Sequence, residues 1–575
     1  MNNEWFLRPR THEQIKGSKI AEDLDLHLVV ANLLVQRGIA STQEARAFMW
    51  PSLDQLYDPF VMDNMLDAVN RLNQALERRE KILIYGDYDA DGITAVALVY
   101  KCLRRYTSAL DYYIPDRYDE GSGFSFQGAQ YAIDNNYSLV IALDCGVKSI
   151  EQIAFAKEHG VDVIVCDHHR PDNTIPPAVA ILDTKCPGSS YPFDHLCGCG
   201  VAFKFMQGFL QHNGLPLSAI EDLLDLVAVS IAADIVPIIG ENRILAHRGL
   251  QQINHTPSPG IKGIMDICGL RDKKNVSAGD LIFKIGPLLN ASGRMENGKE
   301  SVALLLLSDR DEVIEKSKEL NRYNDERREV DRQTTEEAHA AILAQGLDKH
   351  KAIIVFNPNF HKGVIGIVAS RLSEFYHRPA IVLTQSAEFV TGSARSHDFF
   401  DVYRVVEECR DLVENFGGHP YAVGLSLRPE NLPAFTQRFL AIVNAQDFVI
   451  APRISIDAPL PLCQVTPKLL ADLKRLSPFG QENQVPIFYT LNVRDVGKCR
   501  LVGKDNEHLR FDVIDDTSDT PVNAIAFNMA QYFELVASKE PFHICYTVEE
   551  FGFRSSGIQL LIKDIRTSDP FVTPP

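Results

Sequence analysis

From Lys81 onward, short apolar runs alternate with segments whose apolar residues recur at helical spacing, which predicts a parallel sheet with helices on its faces. The strand runs are Ile82 to Tyr85, LDYYIP (110–115), SLVIALD (138–144), VDVIVCD (161–167) and AVAILD (178–183). The first is β-branched and apolar, as expected of a strand buried on both faces. Gly86 ends it, and after Gly92 the segment ITAVALVYKCLRRY resumes helical spacing. Two further helices are predicted at GVAFKFMQGFLQH and EDLLDLVAVSIAADIVP, the second reaching Asp234 before Pro237. Residues from about 309 to 345 are charged with few apolar positions and predict a long helix bridging two domains. A second α/β unit starts at KAIIVFNP (351–358) and reaches two glycine-rich elements, TGSARS (391–396) and FGGHP (416–420), expected to be loops. After Ala451, five short strand-like runs suit a small β-barrel of the OB-fold type. Residues 1–75 carry short helical patterns and no assigned chemistry.

The predicted fold class is therefore α/β, with two α/β domains joined by a long helix and a C-terminal OB-fold β-barrel. The predicted boundaries are a helical segment at 1–75, a first α/β domain at 76–305, the connecting helix at 306–346, a second α/β domain at 347–448 and the barrel at 449–575. A chain of 575 residues has room for all of them. No apolar run approaches the ~20 residues of a membrane span, and the polar stretch MNNEWFLRPRTHEQ lacks a signal-peptide core, so a cytoplasmic location is expected. Eleven scattered cysteines suit reduced thiols, and the close pair Cys197 and Cys199 lacks the second pair of a zinc site. The net charge of −18 argues against nucleic-acid binding over the whole surface, so such binding must rest on local basic patches.

The candidate chemistry lies at the strand ends. GDYDADG puts Asp87, Asp89 and Asp91 within five residues, Asp144 closes LVIALD, and Asp167 closes VIVC before His168 and His169. In open α/β sheets, ligands bind at the carboxyl edge of the strands. Crowded carboxylates repel unless a cation or protons intervene, so the cluster reads as a divalent-metal site or as an Asx-rich turn with solvated charges. Asp234, a helix-terminal anion, opposes the helix dipole and suits a cation partner. Two divalent ions could serve phosphodiester hydrolysis, and the histidines admit Mn²⁺ beside Mg²⁺.

The combination GDYDADG (86–92), ALDCG (142–146), CDHH (166–169) and IAADIVP (231–237) resembles, in order and spacing, the four motifs of the DHH phosphoesterase superfamily. HKGVIGIVASRL, GSARS, FGGHPYAVGLSL and LSPFGQENQVPIF resemble, more narrowly, the RecJ family of bacterial single-strand-specific exonucleases. The resemblance implies a DHH domain, a DHH-associated domain and an OB-fold. It also implies 5′→3′ hydrolysis of single-stranded DNA to 5′-mononucleotides in recombination and repair. By motif, it implies a metal set of Asp87, Asp89, Asp91, Asp144, His168, His169 and Asp234, with Asp89, Asp91, His168 and His169 at the chemistry. Asp167 is expected behind the ligands, orienting a histidine, and Ser393, Arg395 and His419 are expected on substrate phosphate. Single-strand-binding protein and a helicase are partners implied by the family alone. The sequence departs from the family pattern at Leu288, Ala394 and Cys145. Phe479, Phe488, Tyr489, Lys498, Arg500, Lys504 and Arg510 are candidate strand contacts on the barrel. The alternatives are a DHH phosphodiesterase of small nucleotides and an inactive replication scaffold; a complete ligand set disfavours the second.

Overall fold

The computed structural model describes residues 3–8, 14–396, 400–446, 453–551, 557–568 and 571. Strand β1 (Glu4–Leu7) is followed by short helices and then by the first sheet: β2 (Ile82–Gly86), β3 (Leu110–Tyr113), β4 (Leu139–Leu143), β5 (Asp162–Cys166) and β6 (Ala180–Leu182). Its order is β3-β2-β4-β5-β6 and every pairing is parallel. β2 and β4 are buried along their whole length, which accounts for runs without alternation. The chain leaves β2 toward β3 on one side and returns to β4 on the other, so the switch point lies between β2 and β4. Helices Ala90–Leu103 and Gly198–His212 pack on this sheet and helix Leu224–Ala233 packs on both of them, in one continuous core.

Helix Arg310–Gln345 is 36 residues long. Asp309 caps its start, accepting from the Asp311 and Glu312 amides, and Gly346 ends it at φ +65°. It packs against helices Pro259–Ile267 and Gly286–Met295 and then against helix Ile365–Tyr376, so it carries the second domain on the first.

The second sheet comprises β7 (Ile353–Phe356), β8 (Ala380–Ser386), β9 (Phe389–Arg395), β10 (Asn415–His419) and β11 (Ala422–Leu427), in the order β10-β11-β9-β8-β7. Only β7 and β8 pair in parallel. The glycine-rich elements expected as loops are strands: TGSARS lies largely in β9 and FGGHP starts in β10, both paired to β11. Glycine weakens local strand preference, and the ladder to a common neighbour overrides it.

After β12 (Arg453–Ile456), the last sheet comprises β13 (Ala458–Pro459), β14 (Phe488–Asp495), β15 (Arg500–Val502), β16 (His508–Asp515), β17 (Ser518–Ala526), β18 (Phe542–Phe551) and β19 (Gly557–Arg566). The order β14-β18-β19-β17-β16 closes through a β14–β16 pairing, giving a five-stranded barrel of the OB type. β1 pairs in parallel with β12, outside the barrel.

The segment 1–75 has no core of its own among the described residues. Val30, Leu33 and Leu34 share a cluster with Leu460, Phe488 and Phe511 of the barrel, while helix Met65–Arg78 packs into the first domain. The expected boundary between 448 and 449 lies outside the described residues. Arg243, buried on helix Gly240–His255, fastens barrel to first domain. It donates to the carbonyls of Phe48, Arg475, Leu476 and Ser477 at 2.8–3.1 Å. No helix among the described residues is long and apolar enough to cross a membrane.

Candidate metal and phosphate site

The loop after β2 turns directly into helix Ala90–Leu103. Asp89 is the N-cap, its Oδ1 accepting from the Asp91 amide at 3.0 Å and the Gly92 amide at 3.2 Å. Gly92 is required by close approach: a Cβ there would stand 2.5 Å from the Asp87 carbonyl oxygen. Asn290 Oδ1 accepts from the Ala90 amide at 2.7 Å and steadies the turn from helix Gly286–Met295. Asp91 is buried, held at 2.7 Å by the amides of Gly198 and Cys199 and at 2.6 Å by the Ser230 hydroxyl. The LCGCG stretch is thus a helix N-terminus aimed at a carboxylate. A Cβ at Gly198 would meet Asp144 Oδ1 at 2.5 Å.

Asp144 follows β4 in the left-handed conformation, φ +58°, which turns its side chain into the same crevice. Its Oδ1 lies 3.2 Å from His168 Nε2 yet accepts no hydrogen bond from the described residues. The same nitrogen stands 3.7 Å from Asp91 Oδ2 and 3.7 Å from Asp234 Oδ2. Asp234 is the C-cap of helix Leu224–Ala233. Two sets of ligand atoms therefore converge, Asp144 with His168 and His169, and Asp91 with His168 and Asp234, each within 4.8 Å. Asp87 and Asp89 belong to neither set; Asp87 Oδ1 accepts from the Tyr88 amide at 2.7 Å.

Asp167 supports the histidines of this cluster. Its Oδ1 accepts from the amides of His168 and His169 and from His169 Nδ1 at 2.7 Å, and its Oδ2 from the Val147 amide at 3.0 Å. A carboxylate can only accept, so Nδ1 carries the proton and Nε2 of His169 is left for another partner.

The electrostatics separate the aspartates. Burial opposes charge on Asp167, but the His169 hydrogen bond and neighbouring donors hold it well below the usual carboxylate range. Burial, then Asp89, pushes Asp87 up to about 7 and Asp91 up to about 6. Asp144 and Asp234 are raised well above the ordinary value by burial and then Asp91. Burial, then His169, drives His168 well down, so its imidazole is neutral. Burial disfavours charge on His169 as well, but Asp167 raises it to about 9. An orphaned carboxylate oxygen, excess buried acid and a neutral imidazole fit a hard divalent cation that accepts oxygen and nitrogen donors.

Across the crevice, β9 brings Ser393 and Arg395 together, with Arg395 Nη1 donating to Ser393 Oγ at 2.7 Å. Arg294 donates to the Gly363 carbonyl at 2.9 Å, bridging the two α/β domains. Burial, then the charges of Arg117, Arg327 and Arg395, lowers Arg294 to about 9, and burial, then Arg117, lowers Arg395 to about 10. Arg117 lies 4.8 Å over the Tyr88 ring. Guanidinium groups held this close favour phosphate oxygens. His419, at the end of β10, is lowered by partial burial and then by His169 and Lys185, so it faces the first domain. Sequence reasoning missed Arg117, Arg294 and Arg327, which come from loops and helices far apart in the chain.

On the barrel, Phe488 is buried in the core and cannot stack on a strand, which corrects that expectation. Phe479 packs against the same core, Tyr489 meets Phe571 with ring centroids 4.9 Å apart, Lys498 pairs with Asp512 at 2.9 Å, and Arg510 lies 4.8 Å over Phe551. Arg500 and Lys504 are exposed.

Family models match in three places: the DHH family N-terminal domain at residues 81–231, the DHHA1 domain at 349–445 and the RecJ OB domain at 456–564. The chain is similar to the single-stranded-DNA-specific exonuclease RecJ of Bacillus subtilis, 35% identical over 98% of this chain and 71% of that protein. It is similar to the RecJ of Haemophilus influenzae at 32% identity, covering 96% of this chain and 98% of that one. The fold matches the crystal structure of RecJ in complex with Mn²⁺ from Thermus thermophilus, with a TM-score of 0.84 and 24% identity over 99% of this chain and 80% of that chain. With the Haemophilus influenzae relative matched at 32% identity along 98% of its length and three domain models matching successive parts of the chain, the chain belongs to the RecJ family of the DHH phosphoesterases.

Proposed function

We propose that the protein is a metal-dependent exonuclease that degrades single-stranded DNA from its 5′ end to 5′-mononucleotides, acting in recombination and repair. The observation that carries this reading is the crevice itself: excess buried acid around a neutral His168 on one wall and clustered guanidinium groups on the other. Asp87, Asp89, Asp91, Asp144, His168, His169 and Asp234 are the proposed ligands of two Mn²⁺ or Mg²⁺ ions. Bound there, such ions supply charge neutralisation and an activated water for in-line displacement at phosphorus.

The protein's own groups do the rest. Asp167 fixes the His169 tautomer, and the Gly198 and Cys199 amides with Ser230 fix Asp91. Ser393, Arg395 and His419, joined by Arg117 and Arg294, hold the terminal phosphate in the geometry that displacement requires. The barrel extends the single-strand track, with Arg500, Lys504 and Arg510 as candidate phosphate contacts. The cytoplasm is the proposed compartment, which the free cysteines suit. Single-strand-binding protein and a helicase are proposed partners on the family resemblance alone.

The test is digestion of two matched oligonucleotides labelled at opposite ends, with Mn²⁺, Mg²⁺ or chelator. Immediate release of labelled mononucleotide from the 5′ end, abolished by chelator and by Asp89→Ala, is the expected result. Intact strands with either metal, alongside rapid cleavage of dinucleotides, would transfer the reading to a small-nucleotide phosphodiesterase.

A further inference from the structure

A cavity of about 920 Å³ opens on the first domain, at the amino edge of its sheet and away from the carboxyl crevice. Both helices that bear site carboxylates reach it with their other ends. Helix Ala90–Leu103 starts at Asp89 and Asp91 and delivers Tyr100 and Lys101 to the cavity, with Arg104 just beyond. Helix Leu224–Ala233 starts at the cavity wall and ends at Asp234. At about 1.5 Å per residue, their 14 and 10 residues span roughly 21 and 15 Å. Leu306 and Ser308, at the root of the long helix that carries the second domain, complete the wall.

The lining is cationic on a chain of net charge −18. Arg105 is spent on Asp222 at 2.9 Å, and Arg248 stands 3.5 Å from Glu221. Lys101 is half-buried, makes no hydrogen bond to a described residue and feels the charges of Asp225 and Asp222; among the described residues, Arg104 donates to the Ser108 carbonyl at 2.9 Å. Burial lowers Lys101, so a bound anion would recover part of that cost. The volume is in the ~300–1,000 Å³ range of small-molecule sites and exceeds what a bare phosphate fills. Tyr100, packed edge-on against Tyr112 with ring centroids 5.8 Å apart, also lines the cavity.

We propose that this cavity binds a nucleoside phosphate of mononucleotide size, and that occupancy changes the rate at the crevice through the two shared helices. The ligand class includes the product of the proposed reaction, so the site would sense accumulating mononucleotide. A change in rate requires that the ligand bind unequally to two arrangements of those helices.

The test titrates 2′-deoxyadenosine 5′-monophosphate, with inorganic phosphate in parallel, into full-length wild type, Asp89→Ala and the double variant Lys101→Ala/Arg104→Ala by calorimetry. The mononucleotide should bind wild type and Asp89→Ala alike and the double variant about tenfold or more weakly, the loss expected from removing charge-assisted hydrogen bonds. Phosphate alone should bind all three weakly. The mononucleotide should change single-strand turnover by wild type about fivefold and leave the double variant unmoved, while without it the two turn over alike. Binding lost in Asp89→Ala but retained in the double variant would place the ligand in the crevice and overturn the proposal. So would a double variant that loses affinity for a single-stranded oligonucleotide while wild type ignores the mononucleotide, since the surface would then be a nucleic-acid track. Binding without any rate change would overturn the coupling. The calorimetric arm does not depend on nuclease activity, so a wild type that cleaves nothing leaves it readable.

Discussion

Two groups of buried ionisable side chains lie within the first domain. Lys204 and Glu241, 0% and 1% exposed, meet at 3.1 Å, and their remaining capacity is used locally. Lys204 donates to the Tyr57 carbonyl at 2.6 Å, and Glu241 accepts from the Tyr57 amide at 3.0 Å and the Tyr191 hydroxyl at 2.6 Å. At the sheet edge, Asp91, Asp144 and Asp234 surround an imidazole that burial keeps neutral, and Asp144 Oδ1 accepts no hydrogen bond from the described residues. The first group closes its own charge balance and serves the fold. The second is left acidic, and a cation completes it. Lys204, Glu241, Asp91 and Asp144 are all withdrawn from water; compensation is what separates structure from function.

The largest effect expected from breaking this contrast is catalytic. Asp144→Ala or His168→Ala should lower kcat/KM on single-stranded DNA on the order of 10³-fold. The same variants should leave thermal stability in chelator unchanged or raised, because they remove an uncompensated burden. A parallel loss of stability in chelator would mean the cluster is structural. Lys204→Met should do the reverse: it strands the buried Glu241 carboxylate and costs about 3–5 kcal/mol in denaturant unfolding, with specific activity of the folded protein retained. If that variant unfolds like wild type, the contrast fails on its structural side.

The contrast also sets a pH dependence. Asp87 at about 7 and Asp91 at about 6 are raised above their unfolded values, so the folded protein holds protons the unfolded chain has released. Through these two groups, stability in chelator should therefore fall as pH rises from about 4 to about 7, and saturating Mn²⁺ should flatten that fall. A chelator profile that rises over the same window contradicts it.

Smaller effects lie across the crevice. Arg294→Ala should raise KM about tenfold with a lesser change in kcat, measured on 5′-phosphorylated strands. Arg510→Ala on the barrel should weaken binding of long strands by no more than about threefold and lower the salt slope by about one.

The acidic half of the site was legible in the sequence because its members follow a strand or cap a helix, and strand ends can be read from apolar runs. Helix Arg310–Gln345 was equally plain, since charge without an apolar stripe persists through it. What supports those residues was not legible. The Gly198 and Cys199 amides act through backbone, which carries no residue code, and Asn290 reaches Ala90 across two hundred positions. The arginine wall is assembled by tertiary packing alone. TGSARS and FGGHP read as loops because glycine and serine favour turns, and long-range pairing to β11 decides otherwise. The helices of residues 14–49 look independent in sequence, yet their apolar faces are spent on the barrel.

The most direct test of the central claim is the number of Mn²⁺ ions bound per chain, read by electron paramagnetic resonance in titrations without DNA. The account predicts two ions for wild type, lost or weakened by at least about tenfold in His168→Ala, whose imidazole joins both ligand sets. Lys204→Met should keep both ions. Equal binding by wild type and His168→Ala, or no binding by wild type at concentrations that support hydrolysis, would contradict it.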